Sequence, residues 1–185
     1  MAYFFFDFKD TGKQDTRAFL SSVLVQLSNQ SASFCNILLE FYYTHQQSSQ
    51  RPSDRELMQC LEKKLKIPTE EPIYIILDAL DECRDTFGLP SSREKVLGLV
   101  EKLIGFDLPN LRLCVTSRPE IDIRNVLEPL TSTNNQISLH DEEGQKKDIA
   151  DYVRYVVYSD RKMTNWRDSD KELVIETLSG RANGM

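Results

Sequence analysis

An α/β fold built on a parallel sheet is predicted by three observations in this chain of 185 residues. The run Ile73-Tyr74-Ile75-Ile76-Leu77-Asp78 is apolar, rich in β-branched types and of strand length; its lack of alternation predicts burial on both faces. A second run of the same kind, Leu111 to Thr116, follows the Pro109-Asn110 turn. Stretches with helical periodicity separate these runs, and strand–helix–strand alternation demands parallel pairing with helices as cover.

The elements follow in order. Residues 2–8, AYFFFDF, are dense in aromatics and predict a first strand. Thr11 and Gln14 stand at capping-box spacing, so a helix is expected from Asp10 or Thr11, with Leu20, Val23, Leu24 and Leu27 on its apolar face. A second helix covers roughly 31–44 through Phe34, Ile37, Leu38 and Phe41. Gln46 to Pro52 is polar and predicts a loop. Ser53 and Glu56 form another capping-box pair, opening a helix that turns Leu57, Met58, Leu61 and Leu65 inward.

After the central strand, Ser91 and Glu94 start a helix carrying Val96, Val100, Leu103 and Ile104. Pro119 is placed as the first residue of a helix lined by Ile123, Val126, Leu127 and Leu130. A short strand is expected at 136–139. From about 141 the pattern is helical alone, with Ile149, Val153, Val156 and Val157 on one helix and a Ser169/Glu172 cap opening another. The chain is thus read as an α/β domain over 1–140 and the beginning of a helical subdomain over 141–185.

Composition excludes several classes. With 29 acidic against 23 basic residues the net charge is −6, opposite in sign to a nucleic-acid footprint. Asp7, Lys9 and Asp10 end the first apolar run too early for a leader or a membrane span, which makes the cytoplasm the expected location. Four scattered cysteines without a Cys-x-x-Cys pair, and two histidines, argue against a zinc site and for free thiols in a reducing compartment. His45 and His140 read as surface or strand-end residues.

Chemistry concentrates where the two apolar runs end. Asp78, Asp81 and Glu82 follow one strand at the carboxyl edge, where open parallel sheets bind ligands. Ser117 and Arg118 follow the other. A carboxylate at a strand tip suits magnesium, which keeps much of its water shell, and a second carboxylate can orient an attacking water. Arginine offers planar donors matched to phosphate oxygens, with Thr116 and Ser117 hydroxyls as weaker contacts. Singly, Asp78 is a turn residue, Asp81 a helix cap and Arg118 a solvated side chain; it is the combination that points to phosphate chemistry. Gly12-Lys13 is no phosphate loop, since Gln14 follows where Ser or Thr is needed and Asp7 stands in place of the earlier glycine.

The segments AYFFFDFKDTGKQDTRAFLSSVLVQL, IYIILDALDEC, LPNLRLCVTSRPE and SGRANGM, in this order, resemble the NACHT-type NTPase region of fungal signalling proteins. Those are STAND-class P-loop ATPases or GTPases, often followed by ankyrin repeats, and similar to the nephrocystin-like NACHT segment. The resemblance implies a three-layer parallel sheet of P-loop NTPase type. It makes LDALDEC a Walker B motif, with Asp78 toward magnesium and Asp81 and Glu82 positioning water. It makes VTSRP a sensor, with Arg118, aided by Ser117, facing the terminal phosphate of ATP or GTP. It further implies that a phosphate-loop strand, absent from these residues, belongs between the other two site strands. The chain is therefore expected to be a piece of a nucleotide-dependent switch that controls self-assembly or pairing with other NACHT proteins and, alone, to bind ATP or GTP weakly or not at all. The alternatives are a non-catalytic interaction fragment or decayed copy, and a two-metal phosphohydrolase built on the three carboxylates.

Overall fold

A computed structural model describes residues 1–46, 51–69, 71–84, 90–138 and 143–181. His140, Leu139 and the Ala182–Met185 end of the last quoted segment lie outside them. The chain divides into two compact units, Met1–Thr131 and Ser132–Met185.

The first unit is an α/β layer structure. Strand β1 (Ala2–Phe5), strand β2 (Ile73–Asp78) and strand β3 (Leu111–Val115) form one parallel sheet in the order β1-β2-β3. Phe4 stands opposite Leu77 in one ladder, and Leu77 opposite Val115 in the next. The strand implied between β2 and β3 has no place: the two are direct neighbours in continuous register from Ile73/Leu111 to Leu77/Val115. Any further strand belongs at the outer side of β3.

Side chains alternate across the pleat. Ala2, Phe4, Ile73, Ile75 and Leu77 point into the core and are nearly sealed from solvent. Tyr3, Phe5 and Tyr74 point the other way and are 47%, 49% and 48% exposed. Burial of β2 on both faces is thus corrected to burial on one. Among the described residues the helices pack on the Phe4/Ile75/Leu77 face, and no second helical layer covers the aromatic one.

Helix α1 (Thr16–Ser28), helix α2 (Ala32–Gln46), helix α3 (Asp54–Leu65), helix α4 (Ser92–Gly105) and helix α5 (Ile121–Leu127) supply that layer. The apolar faces read from periodicity are the buried ones: Leu20, Val23, Leu24 and Leu27 on α1, Leu57, Met58, Leu61 and Leu65 on α3, Val96, Val100 and Leu103 on α4. Ser53 and Ser91 each close a complete capping box with Glu56 and Glu94. Thr11 and Gln14 do not. Residues 11–13 make only a 3-10 turn, and α1 is capped by Asp15, whose carboxylate accepts from the Ala18 N–H at 2.8 Å. Gln14 is spent elsewhere, donating to the carbonyls of Asp7 and Phe8 at 3.1 and 2.7 Å, which bends the chain out of β1 at Asp7. Pro119 likewise precedes its helix, which starts at Ile121 behind Glu120.

The outer edge of β1 is closed by α1. The Gln26 amide accepts from Tyr3 N–H at 3.0 Å and donates to Tyr3 C=O at 2.7 Å, and Gln30 donates to Met1 C=O at 2.6 Å. These side chains satisfy the Tyr3 and Met1 backbone groups that another strand would use. On β3, Thr116 N–H bonds to Leu77 C=O and Ile73 N–H to Asn110 C=O, so even-numbered residues face β2 and Leu113 and Val115 present their backbone outward.

Lys64 is fully buried between α1, α2 and α3. Its ammonium donates to Leu24 C=O at 3.4 Å, to Phe34 C=O at 2.6 Å and to Ser28 Oγ. Desolvation pushes its pKa down from the ordinary lysine value.

The second unit is a helical pair, α6 (Glu143–Ser159) and α7 (Asp168–Arg181), joined through a 3-10 turn at Arg161–Met163. Val157 and Ile175 are buried, and Arg154 and Tyr158 both bond to Glu172, at 2.8 and 3.0 Å. Glu172 is therefore not a capping partner of Ser169, which lies inside α7. Residues 136–138 form no strand, and Ile137 is 81% exposed. No helix among the described residues is long and apolar enough to cross a membrane.

Candidate functional site

Three strand ends and one sharp turn build the site. As β2 ends, Ala79 takes a left-handed conformation at φ 54°, ψ 49°, and Leu80–Glu82 form a 3-10 turn. A non-glycine residue there is strained by about 1–3 kcal/mol, so its surroundings must hold it. Thr116 does so from the neighbouring strand end. Its hydroxyl accepts from Ala79 N–H at 3.1 Å, its carbonyl accepts from Leu80 N–H at 3.0 Å, and the hydroxyl donates to the Asp78 carboxylate.

The turn reverses the chain so that Asp81 faces the tip of β3. Its side chain is only 11% exposed. Oδ1 accepts the Arg118 N–H at 3.0 Å and the Ser117 hydroxyl at 3.5 Å, and Oδ2 lies 3.4 Å from Arg118 Nε. Glu82 reaches the third strand end, with Oε2 accepting from Phe8 N–H at 3.3 Å. The two predicted clusters thus converge on one place. Asp81, Glu82 and Arg118 line a crevice of about 270 Å³ with Phe8, Arg93 and Glu120. Asp78 and Ser117 are not part of its lining but lie beside it, bonded to Thr116 and Asp81.

In the crevice Arg118 pairs with Asp81, and Arg93 with Asp122 just outside it. Arg118 is 72% exposed and can leave Asp81 for another anion at small cost, because exposed ion pairs are worth under about 1 kcal/mol. Cys83, next to the acids, is buried and pushed up to about 11 by desolvation. Its thiol donates to Gln14 C=O at 3.2 Å, so it packs the base of the turn and offers no nucleophile. Of the other cysteines Cys60 is buried and Cys114 exposed; all four are free.

Among the described residues no group of three or more His, Cys, Asp or Glu side chains is arranged to hold a metal. At the end of β2 stands a single carboxylate, Asp78, with the Thr116 hydroxyl against it. A hydrated magnesium, which takes only one or two carboxylates from a protein, would be held there by Asp78, whereas a two-metal centre would lack ligands.

Sequence reasoning missed Arg93. It is the second residue of α4, where a positive charge opposes the helix dipole, and that misplacement is the signal it left. It missed Gln14 too, whose failure as a phosphate-loop residue hid its use as a bracket for the Phe8 loop.

Among known families, the one described as Nephrocystin 3, N-terminal matches residues 1–118, well over half of the chain. The chain belongs to that family. The nephrocystin 3 N-terminal match takes in Asp78, Asp81, Glu82, Ser117 and Arg118, and it stops before α5 and the helical pair. No curated protein and no solved structure matches.

Proposed function

We propose that this nephrocystin 3 N-terminal segment is the magnesium- and phosphate-facing part of a NACHT-type nucleotide switch. The observation that carries the reading is the approach of Arg118 Nε to within 3.4 Å of Asp81 Oδ2 at the carboxyl edge of a parallel sheet. Asp78 would hold a hydrated magnesium, Asp81 and Glu82 would orient water, and Arg118 with Ser117 would face the terminal phosphate of ATP or GTP. Bound Mg-nucleotide would supply the charge that draws Arg118 away from Asp81, and that exchange would be the switching event. Between them the 185 residues contain no Gly-x-x-x-x-Gly-Lys-Ser/Thr segment. Phosphate loops provide most of the backbone donors for the β- and γ-phosphates, so contact through the acids and Arg118 alone is weak, in the millimolar range.

The test is an NMR titration of the 185-residue chain with magnesium and ATP or GTP. Saturable shifts confined to Asp78, Asp81, Glu82, Ser117 and Arg118, lost in Arg118→Ala, are the expected result. Shifts elsewhere only, or none at millimolar nucleotide, refute the assignment; submicromolar affinity by calorimetry refutes the stated need for a phosphate loop.

A second reading, an interaction fragment that self-associates, is favoured by the outward backbone of Leu113 and Val115 beside the bare Tyr3/Phe5/Tyr74 face. Concentration-dependent sedimentation that disappears on placing proline at Leu113 supports it. A strictly monomeric profile removes it.

A further inference from the structure

We infer that Arg93 is a positioning residue, which sets the Asp81 carboxylate against Ser117–Arg118 and couples the acidic turn to α5. Its guanidinium is used as a three-way fork. Nη2–H donates to Asp81 C=O at 2.6 Å, Nε–H donates to Cys83 C=O at 3.0 Å, and Nη1–H donates to the Asp122 carboxylate at 3.2 Å. The side chain is 13% exposed, so this fork is largely shielded from water. The two carbonyls flank Glu82, and Asp122 lies in the first turn of α5, four residues beyond Arg118.

Asp81 is therefore gripped from both sides. Its backbone is fixed by Arg93 on α4, while its carboxylate fixes the Arg118 amide and guanidinium on the tip of β3. The turn starts from the strained Ala79 and cannot hold this orientation by local preference alone. Among the described residues Arg93 is the one side chain that bonds to the acidic turn and to α5 together, and its planar five-donor head is what allows both. Lysine has its three donors on one nitrogen, whereas the two carbonyls and the carboxylate are met here by three separate guanidinium nitrogens, a span that a single ammonium does not reproduce. A shift of α5 is thereby transmitted to Asp81, and movement of Asp81 to α5, without any change in β2.

This inference rests on the phosphate-facing reading of the crevice for its functional meaning, but its test does not. The readout is the position of the Arg118 Nε–Hε and backbone amide resonances in the ¹⁵N spectrum of the 185-residue chain. Asp81→Asn defines the position those signals take without the carboxylate. Arg93→Lys is expected to move both signals most of the way to that position while core amides such as Val100 and Leu103 stay in place. A folded Arg93→Lys protein whose Arg118 signals keep their wild-type positions overturns the proposal, because a residue that only adds stability would leave them there. Should Arg93→Lys not fold, Asp122→Asn carries the test: a partial move in the same direction supports the coupling, and no move overturns it. Magnesium with pyrophosphate, added to the wild type, separates the two readings. If it leaves Arg118 unmoved while Arg93→Lys moves it, positioning by Arg93 stands and the phosphate assignment falls.

Discussion

Replacing Asp81 measures whether the acidic turn is a structural latch as well as a candidate site. In Asp81→Ala the Arg118 N–H loses an acceptor at 3.0 Å, the Ser117 hydroxyl loses a weaker one, and the Arg118 guanidinium loses its partner at 3.4 Å. A hydrogen bond to an ionised group contributes about 1.5–3 kcal/mol, the low end applying where water can replace it, as at exposed Arg118. The ion pair adds under about 1 kcal/mol because Arg118 is 72% exposed. The sum is a loss of about 2 kcal/mol, or a fall in Tm of roughly 6 °C for a chain of this size. Asp81→Asn keeps one carbonyl oxygen for Arg118 N–H but turns an amide toward the guanidinium, and loses about 1 kcal/mol. Asp78→Asn behaves differently: the amide oxygen still accepts the Thr116 hydroxyl, and stability stays within about 0.5 kcal/mol. Urea unfolding followed by circular dichroism reads all three. The reasoning fails if Asp81→Ala costs less than Asp78→Asn, because Asp81 would then not be holding the tip of β3. Residues kept for chemistry alone are often stabilising to remove, so a cost at Asp81 separates its structural duty from any catalytic one.

Four further outcomes follow from the same structure. Lys64→Met removes a buried charge that has no carboxylate partner among the described residues and keeps the volume, so stability is unchanged or raised by about 1 kcal/mol, whereas Lys64→Ala loses roughly 2–4 kcal/mol to a cavity. Because burial lowers the Lys64 pKa, the unfolded chain binds more protons just below pH 10.5; wild-type stability rises with pH across that window relative to Lys64→Met, as paired urea titrations will report. Glu56 is held at about 2 by the Ser53 hydroxyl, then the Ser53 N–H and His45, so its contribution is complete above pH 4.5 and is lost as pH falls toward 2; Ser53→Ala flattens that acid limb. At Ala79 glycine relieves the left-handed strain and changes stability by about 0–1 kcal/mol in the favourable direction, while valine costs roughly 2 kcal/mol, both read from urea midpoints.

What the sequence disclosed was local. Ser53/Glu56 and Ser91/Glu94 work as capping boxes because every partner lies within one turn, and Leu20, Val23, Leu24 and Leu27 are buried because helix periodicity fixes which face they share. Thr11/Gln14 has the same spacing and fails, since Gln14 is drawn to the Asp7 and Phe8 carbonyls, a choice that only the folded loop presents. The strand β2 was legible in its residues but not in its surroundings. An unbroken apolar run announces a strand, yet Tyr74 is half exposed because the second face has no cover among the described residues. The convergence of Asp81 with Arg118 was legible as two strand tips of one parallel sheet. The placing of β2 directly beside β3 was not, because strand order is a property of crossovers and not of the strands themselves. Arg93 stayed hidden for a similar reason: its partners at 81, 83 and 122 are joined only after α4 and α5 pack.

The glutamine pair on α1 has a consequence for architecture beyond this chain's own stability. With Tyr3 already saturated by Gln26, and the Met1 carbonyl by Gln30, a strand joining at β1 would have to displace both glutamines, which favours the β3 side. A strand added beside Leu113 and Val115 would come within two residues of Ser117, so lengthening the sheet there would crowd the contact between Asp81 and Arg118.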